Sequence, residues 1–217
     1  MIILAIETAG ADCAACVFDS DGGRVLSAVS ETIGKGHAER LMTMIDEVVR
    51  DSGLPLSALD RIAVDIGPGS FTGIRVGVAT ARALALALGV ACVGVTTLDV
   101  LARQSRGEVA GHNVLITMDA RRGEAYCALY DGNGRLLVEP AAYAYEALEG
   151  LAGAHEAIIA GSGATAAGLS DSMPLAGVRV ETIAALAADM AAGKAVSPLY
   201  LRGPDAKPQG GFKVARA

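Results

Sequence analysis

Residues 2–8 form an unbroken apolar run closed by Glu7 and Thr8. Such a run, bounded by turn residues, is the pattern of a strand buried on both faces. Residues 14–19 follow, then the turn Asp19-Ser20-Asp21-Gly22-Gly23, then residues 24–32, so three strands form a meander. Apolar positions next recur at helical spacing from about His37 to Asp51, where Gly53 and Pro55 end the helix. Residues 61–66 read as a strand. A glycine-rich segment, 67–73, leads into a second helix that runs to Leu88 and stops at Gly89. The order is βββαβα.

That order recurs. Residues 113–119 are an apolar strand ending in a carboxylate, Asp119, and residues 124–130 form the next strand. Asp131-Gly132-Asn133-Gly134 is a hairpin turn, and residues 135–139 pair back. A helical stretch near 143–151, a strand at 157–160 and an alanine-rich helix at 183–192 complete the second half. Phe18-Asp19, Gly23-Arg24 and Leu26 align with Tyr130-Asp131, Gly134-Arg135 and Leu137, and the same offset places Glu7 on Asp119. Two βββαβα halves, each with a carboxylate closing its first strand, resemble the α/β architecture of the actin, Hsp70 and sugar-kinase ATPases (the ASKHA fold). The expected division is a first half at 1–104, a second at 105–202 and a flexible tail at 203–217. The competing reading is an ordinary α/β domain whose hairpins coincide because turns reuse Asp, Asn and Gly.

Composition narrows the class. The 217 residues are 52% hydrophobic and 19% charged, enough apolar material to build a core and exclude intrinsic disorder. Mean hydropathy is +0.43, which raises the question of a membrane. The longest charge-free stretch of the most apolar region, 83–98, is 16 residues long, contains Gly89 and Gly94, and falls short of the roughly 20 a spanning helix needs. With no basic n-region at the start, the expectation is a cytoplasmic protein without membrane association. A net charge of −6 makes a poor stand-alone binder of nucleic acid. Of four cysteines, Cys13 and Cys16 form a C-x-x-C inside a strand pattern, so small buried thiols are expected rather than redox or zinc chemistry.

In the ASKHA architecture the turns after the two first strands cradle phosphates, which requires glycine amides and a metal-binding carboxylate. The first turn, Glu7-Thr8-Ala9-Gly10-Ala11-Asp12, is thin in glycine, and the second, Asp119-Ala120-Arg121-Arg122-Gly123-Glu124, carries two large cations. Gly161 and Gly163, in a Gly-Ser-Gly after a strand, resemble an adenine-side loop. Glu7, Thr8, Asp119, Gly161 and Gly163 are therefore read as vestiges of nucleotide loops. No cofactor and no metal is called for, and no catalytic residue is assigned.

The segment 67–77 (Gly-Pro-Gly-Ser-Phe-Thr-Gly-Ile-Arg-Val-Gly) is not a P-loop, since no Gly-Lys-Ser/Thr follows. Gly73, Gly77, Ala81 and Ala85 recur every four residues and lay a small-residue stripe that lets another helix approach closely. On the preceding helix His37, Leu41, Met44, Ile45 and Val48 share one face, with Met42 and Val49 on its flank, wider than one sheet-facing stripe requires. The two faces either cover the sheet or offer surplus apolar surface to another protein. Arg75 and Arg82, two turns apart, are either a solvated edge or a rim that orients the partner.

Five segments in order now carry a specific resemblance: Ile3-Leu4-Ala5-Ile6-Glu7-Thr8, His37-Ala38-Glu39-Arg40-Leu41, the 67–77 string, Asp119 to Tyr126, and Pro198-Leu199-Tyr200-Leu201-Arg202. Over about residues 1–202 the chain resembles the TsaB family of threonylcarbamoyladenosine-biosynthesis subunits. The family more often has Asp where Glu7 stands and Ser where Ala38 stands. The resemblance implies a heterodimer with the paralogue TsaD, which transfers a threonylcarbamoyl group to the adenosine beside the anticodon of ANN-decoding tRNAs. It implies recruitment of the ATPase TsaE through that dimer, and contact with tRNA only through the complex. TsaD holds a metal with histidines, one pair on the helix that here begins Thr96-Thr97-Leu98-Asp99. The three histidines of this chain, His37, His112 and His155, are scattered. A non-catalytic scaffold docking through the paired helices is expected. The alternatives are a small-molecule kinase or peptidase of the same superfold, and a self-associating module.

Overall fold

The computed structural model describes residues 1–193 and 195–202. The expected tail, 203–217, lies outside the described residues. The first half builds β1 (Ile2–Glu7), β2 (Asp12–Asp19), β3 (Arg24–Thr32), α1 (His37–Ser52), β4 (Arg61–Asp65), α2 (Phe71–Leu88), β5 (Ala91–Val95) and α3 (Thr97–Ser105). The second continues with β6 (Asn113–Arg121), β7 (Glu124–Tyr130), β8 (Leu136–Ala144), α4 (Leu148–Gly153), β9 (Ala157–Ala160), α5 (Ser162–Ala166) and α6 (Val180–Asp189). The strands form two sheets, ordered β3-β2-β1-β4-β5 and β8-β7-β6-β9. In each, a meander is antiparallel and the following strand adds in parallel beside the first. The turn glycines aligned by sequence, Gly23 and Gly134, both take positive φ, 61° and 80°. Duplication is therefore visible in topology and in backbone conformation.

Helix ends follow local chemistry. Ser70 caps α2 by accepting from the Gly73 N–H at 3.2 Å, and Gly89, at φ 69°, closes it in the left-handed conformation that lacks a Cβ penalty. Thr96 caps α3 by accepting from the Asp99 N–H at 3.0 Å.

One face of the first sheet carries α1 and α2, whose Leu41, Met44, Val48, Ile74 and Val78 share a core with Leu4, Ile6, Ile62 and Val64. The opposite face is covered by α6: Ile183, Ala184 and Ala187 pack with Ile3, Ala5, Cys16, Ala63 and Val93. The sequence pattern places that helix at the end of the second half. In the structure the helix following β9 is the five-residue α5, and α6 has crossed back. The cause is the two-sided apolarity of β1 and β4, which leaves a sheet face to be buried. Arg61 at the start of β4 fixes the crossing, since its guanidinium donates to the carbonyls of Ala187 and, at 2.8 Å, of Met190 at the C-terminal end of α6.

Helix α3 joins the halves. Val100 packs in the core under α6, while Leu98, Leu101 and Ala102 pack against Val114, Ile116 and Tyr130 of the second sheet. Helix α2 is 18 residues long and apolar enough to cross a membrane by length and composition, but its Gly73, Ile74, Val78 and Ala81 face lies on the first sheet. Cys13 and Cys16 belong to the cores on opposite faces of β2, so they cannot pair. Burial pushes the Cys16 thiol up to about 12 and Cys13 to about 11.

Candidate functional site

The ends of β1 and β6 face each other across an open cleft of about 940 Å³. Its walls are the turn after β1 (Ala9, Gly10, Ala11), the segment from Pro68 to Phe71, and the turn from Asp119 to Arg122, with Leu199 to Arg202 closing one side. A smaller cavity of about 250 Å³ adjoins the interior, where Glu7, Thr97, Met118 and Gly161 come together.

At the inner end of β1, Glu7 is 1% exposed and Asp65, at the neighbouring position of parallel β4, is 0% exposed. Asp65 Oδ1 accepts from the Gly67 N–H at 2.7 Å and from the Thr97 hydroxyl at 2.8 Å. Glu7 Oε1 accepts from the Gly10 N–H at 2.8 Å, while its buried Oε2 has no partner among the described residues. Burial first, and the Asp65 charge second, hold the Glu7 carboxyl well above the usual carboxylate range. Below that raised pKa, a proton on Glu7 would give the two facing carboxyls the donor they otherwise lack. Sequence reasoning noted Glu7 and passed over Asp65, although both close apolar strands.

The other vestigial-loop residues divide. The Thr8 hydroxyl donates to the Gly73 carbonyl at 2.8 Å and pins α2 to β1. Asp119 faces the larger cleft, and its Oδ1 accepts from the Arg121 N–H at 2.6 Å and from the Tyr145 hydroxyl at 2.7 Å. Gly161, at φ 106°, passes against the Thr117 carbonyl, and a Cβ on Gly163 would lie 2.8 Å from Ala125 Cβ. Both glycines seat α5 on the second sheet. Glu7 and Gly161 thus share one cavity and Asp119 lines another, while Thr8 and Gly163 are structural.

The candidate partner face is also rearranged. Leu41, Met44, Ile45 and Val48 are all at most 3% exposed, and His37 is buried with its Nε2 3.1 Å from the Asp12 carbonyl. Gly73 and Gly77 are small because a Cβ at either would collide with Thr8. The stripe sets the distance from α2 to β1 rather than to another helix, and Ala81 and Ala85 continue it into the sheet core. The large apolar side chains these helices leave exposed are Met42, Phe71 and Leu86, at 53%, 50% and 86%; Arg75 lies over the Phe71 ring, and Arg82 and Leu86 line a groove with Ala91 and Cys92 of β5. Periodicity identified the apolar face and left open whether it covers the sheet or meets a partner; these side chains are buried on the sheet.

One wall of the cleft holds a cluster that sequence did not single out. The Phe71 and Tyr200 rings lie 5.4 Å apart, tilted by 37°. The Arg75 guanidinium sits 3.7 Å over the Phe71 centroid, and its Nε donates to the Tyr200 hydroxyl at 2.8 Å. On the opposite wall Arg121 and Arg122 hold left-handed backbone, φ 61° and 57°. Arg202 bonds the Ala120 carbonyl at 3.1 Å and the Glu124 carboxylate, which ties the 195–202 segment to that turn. Among the described residues no group of three or more His, Cys, Asp or Glu converges as metal ligands would.

A family model described as TsaD: tRNA N6-adenosine threonylcarbamoyltransferase matches residues 27–201. The chain is 37% identical over 136 residues to the tRNA threonylcarbamoyladenosine biosynthesis protein TsaB of Escherichia coli K12, a match covering 62% of this chain and 58% of that relative. The chain thus spans little more than half the length of that curated relative. An uncharacterised Mycobacterium bovis protein is 35% identical over 218 residues, covering 95% of this chain and 94% of its own. A solved Pseudomonas aeruginosa structure, described as an uncharacterised protein with similarity to the peptidase YeaZ, superposes with a TM-score of 0.79 at 30% identity, covering 93% and 99% of the two chains. Together with the repeated strand order, these likenesses define a duplicated, two-sheet α/β protein of the fold of that Pseudomonas aeruginosa structure, with a cleft between the ends of its two first strands. The chain belongs to the TsaB family.

Proposed function

We propose that this protein works in the biosynthesis of threonylcarbamoyladenosine in tRNA, as a non-catalytic subunit that pairs with a TsaD-type transferase in the cytoplasm. Family membership carries the pathway. The observation that supports docking is exposed apolar surface on α1 and α2, Met42 on the first and Leu86, beside Arg82, on the second. His37, Leu41, Met44, Ile45, Val48, Gly73, Gly77, Ala81 and Ala85 act from behind, by holding these helices on the sheet. In this reading the subunit stabilises a competent state of its partner, a TsaE-type ATPase joins through the dimer, and the same face supports self-association when the partner is missing. Two features favour a non-catalytic role over a kinase. Glu7 is turned inward against Asp65, and the second phosphate-type turn presents arginines in place of glycine amides.

The test is co-expression with a TsaD-type partner, followed by affinity capture and a tRNA modification assay with and without this chain. Leu86→Glu and Met42→Glu should abolish capture while the isolated variants keep the wild-type circular dichroism. Intact capture of both variants overturns the docking face, and modification that proceeds fully without the chain overturns the role.

A further inference from the structure

We infer that the cleft between the two halves binds a single strand of RNA. The inference rests on the proposed place in tRNA modification, and the ligand class comes from the cleft itself. The wall of Phe71 and Tyr200 exposes two aromatic side chains at 50% and 46% exposure, both lining the opening. Arg75 beneath Phe71 and bonded to the Tyr200 hydroxyl holds the pair as a platform. An aromatic platform of this kind takes a nucleobase by stacking, with little regard to its identity.

The opposite wall supplies the countercharge. Exposed Arg121 stands there on left-handed backbone (φ 61°), a conformation that a bulky side chain seldom adopts. The Asp119 carboxylate in the same turn is engaged by the Arg121 N–H and the Tyr145 hydroxyl, which fixes the turn. Guanidinium groups are the side chains best matched to phosphate oxygens. In a chain of net charge −6, Arg121 thus lines an opening of about 940 Å³, large enough for a nucleotide unit of a strand, while Arg202 on the same side is paired with Glu124. An acidic peptide would satisfy Arg121 but leave the aromatic platform without a ring to stack. Duplex RNA keeps its bases stacked internally and cannot present one.

The experiment titrates the full chain into a fluorescein-labelled single-stranded RNA of about ten nucleotides, read by anisotropy at increasing salt. Wild type should bind, with affinity falling as salt rises, and a duplex of the same sequence should bind more weakly. Phe71→Ala should weaken binding by roughly 5- to 100-fold, the loss typical of one stacked base. Arg121→Asn, chosen because Asn tolerates left-handed backbone, should lower the salt slope by about 0.7. Both residues are exposed, so circular dichroism should be unchanged. Absence of binding, binding indifferent to both variants, or equal competition by polyglutamate overturns the inference. Complementation of a strain lacking its own TsaB is read separately. Restored modification without RNA binding overturns only the cleft, whereas failed complementation by wild type overturns the pathway reading.

Discussion

Glu7 and Asp65 show how a single side chain changed its meaning. A carboxylate at the end of β1 reads from sequence as a relic of a nucleotide loop, and in the structure it faces a second buried acid with one oxygen unpaired among the described residues. Its folded pKa lies above the unfolded value near 4.5. A group raised in the folded state is proton-linked to folding. Its contribution is fully present below the unfolded pKa and is lost as pH rises through the folded pKa. Glu7→Gln keeps an oxygen for the Gly10 N–H and adds a permanent donor toward Asp65. Its melting temperature should therefore gain on wild type as pH rises from 5 to 8, at most about 3–5 °C per pH unit. A melting difference that stays constant across that range would show that no proton is linked at this pair. A second residue-scale prediction concerns Gly77, where a Cβ would collide with the Thr8 hydroxyl. Gly77→Ala should destabilise by about 1–3 kcal/mol in urea unfolding, as overpacking does, despite the better helix propensity of Ala.

Among elements, α1 and α2 separate two properties that hydrophobic periodicity merges. The positions at helical spacing, Leu41, Met44, Ile45 and Val48, are those the sheet consumes. The apolar side chains left exposed lie on the flank of that pattern or outside it, as Met42 and Leu86 do, and the proposed docking surface rests on these. Leu41→Glu would bury a charge in the monomer core and should prevent folding altogether, so loss of partner capture in that variant would carry no information about docking. Helix α6 teaches a similar lesson about position. Its C-terminal carbonyls are held by Arg61, 126 residues away from Ala187 in sequence. Arg61→Ala should cost about 1–3 kcal/mol of stability, the scale of hydrogen bonds to a charged donor. Hydrogen exchange should accelerate first in α6, and uniform acceleration across both sheets would place the loss elsewhere.

For the whole molecule, the sequence carried the parts governed by local chemistry. The apolar runs of β1, β4 and β6, the hairpin turns at Gly23 and Gly134, the helix stop at Gly89 and the doubled strand order were legible because period and turn residues specify them, whereas the cap at Ser70 lay hidden inside the glycine-rich segment. The destination of α6 was not legible, because an alanine-rich amphipathic helix fits either sheet and only the uncovered face of β1 and β4 decides. The Phe71, Arg75 and Tyr200 cluster was likewise hidden, since it brings Tyr200 onto two residues that precede it by 125 or more positions. That crossing has a consequence for the two halves. Residues 1–104 end before α6, so this fragment alone would expose Ile3, Ala5, Ala63, Val93 and Val95 on one side of its sheet. It should therefore lack a cooperative melting transition, while the full chain unfolds both sheets in one, because α3 and α6 bind the halves through shared cores. A synthetic peptide spanning residues 178–193, added in excess to the fragment, should restore a transition whose midpoint rises with peptide concentration. A fragment that melts cooperatively at the full-length temperature without the peptide would show that α6 is dispensable to the first sheet.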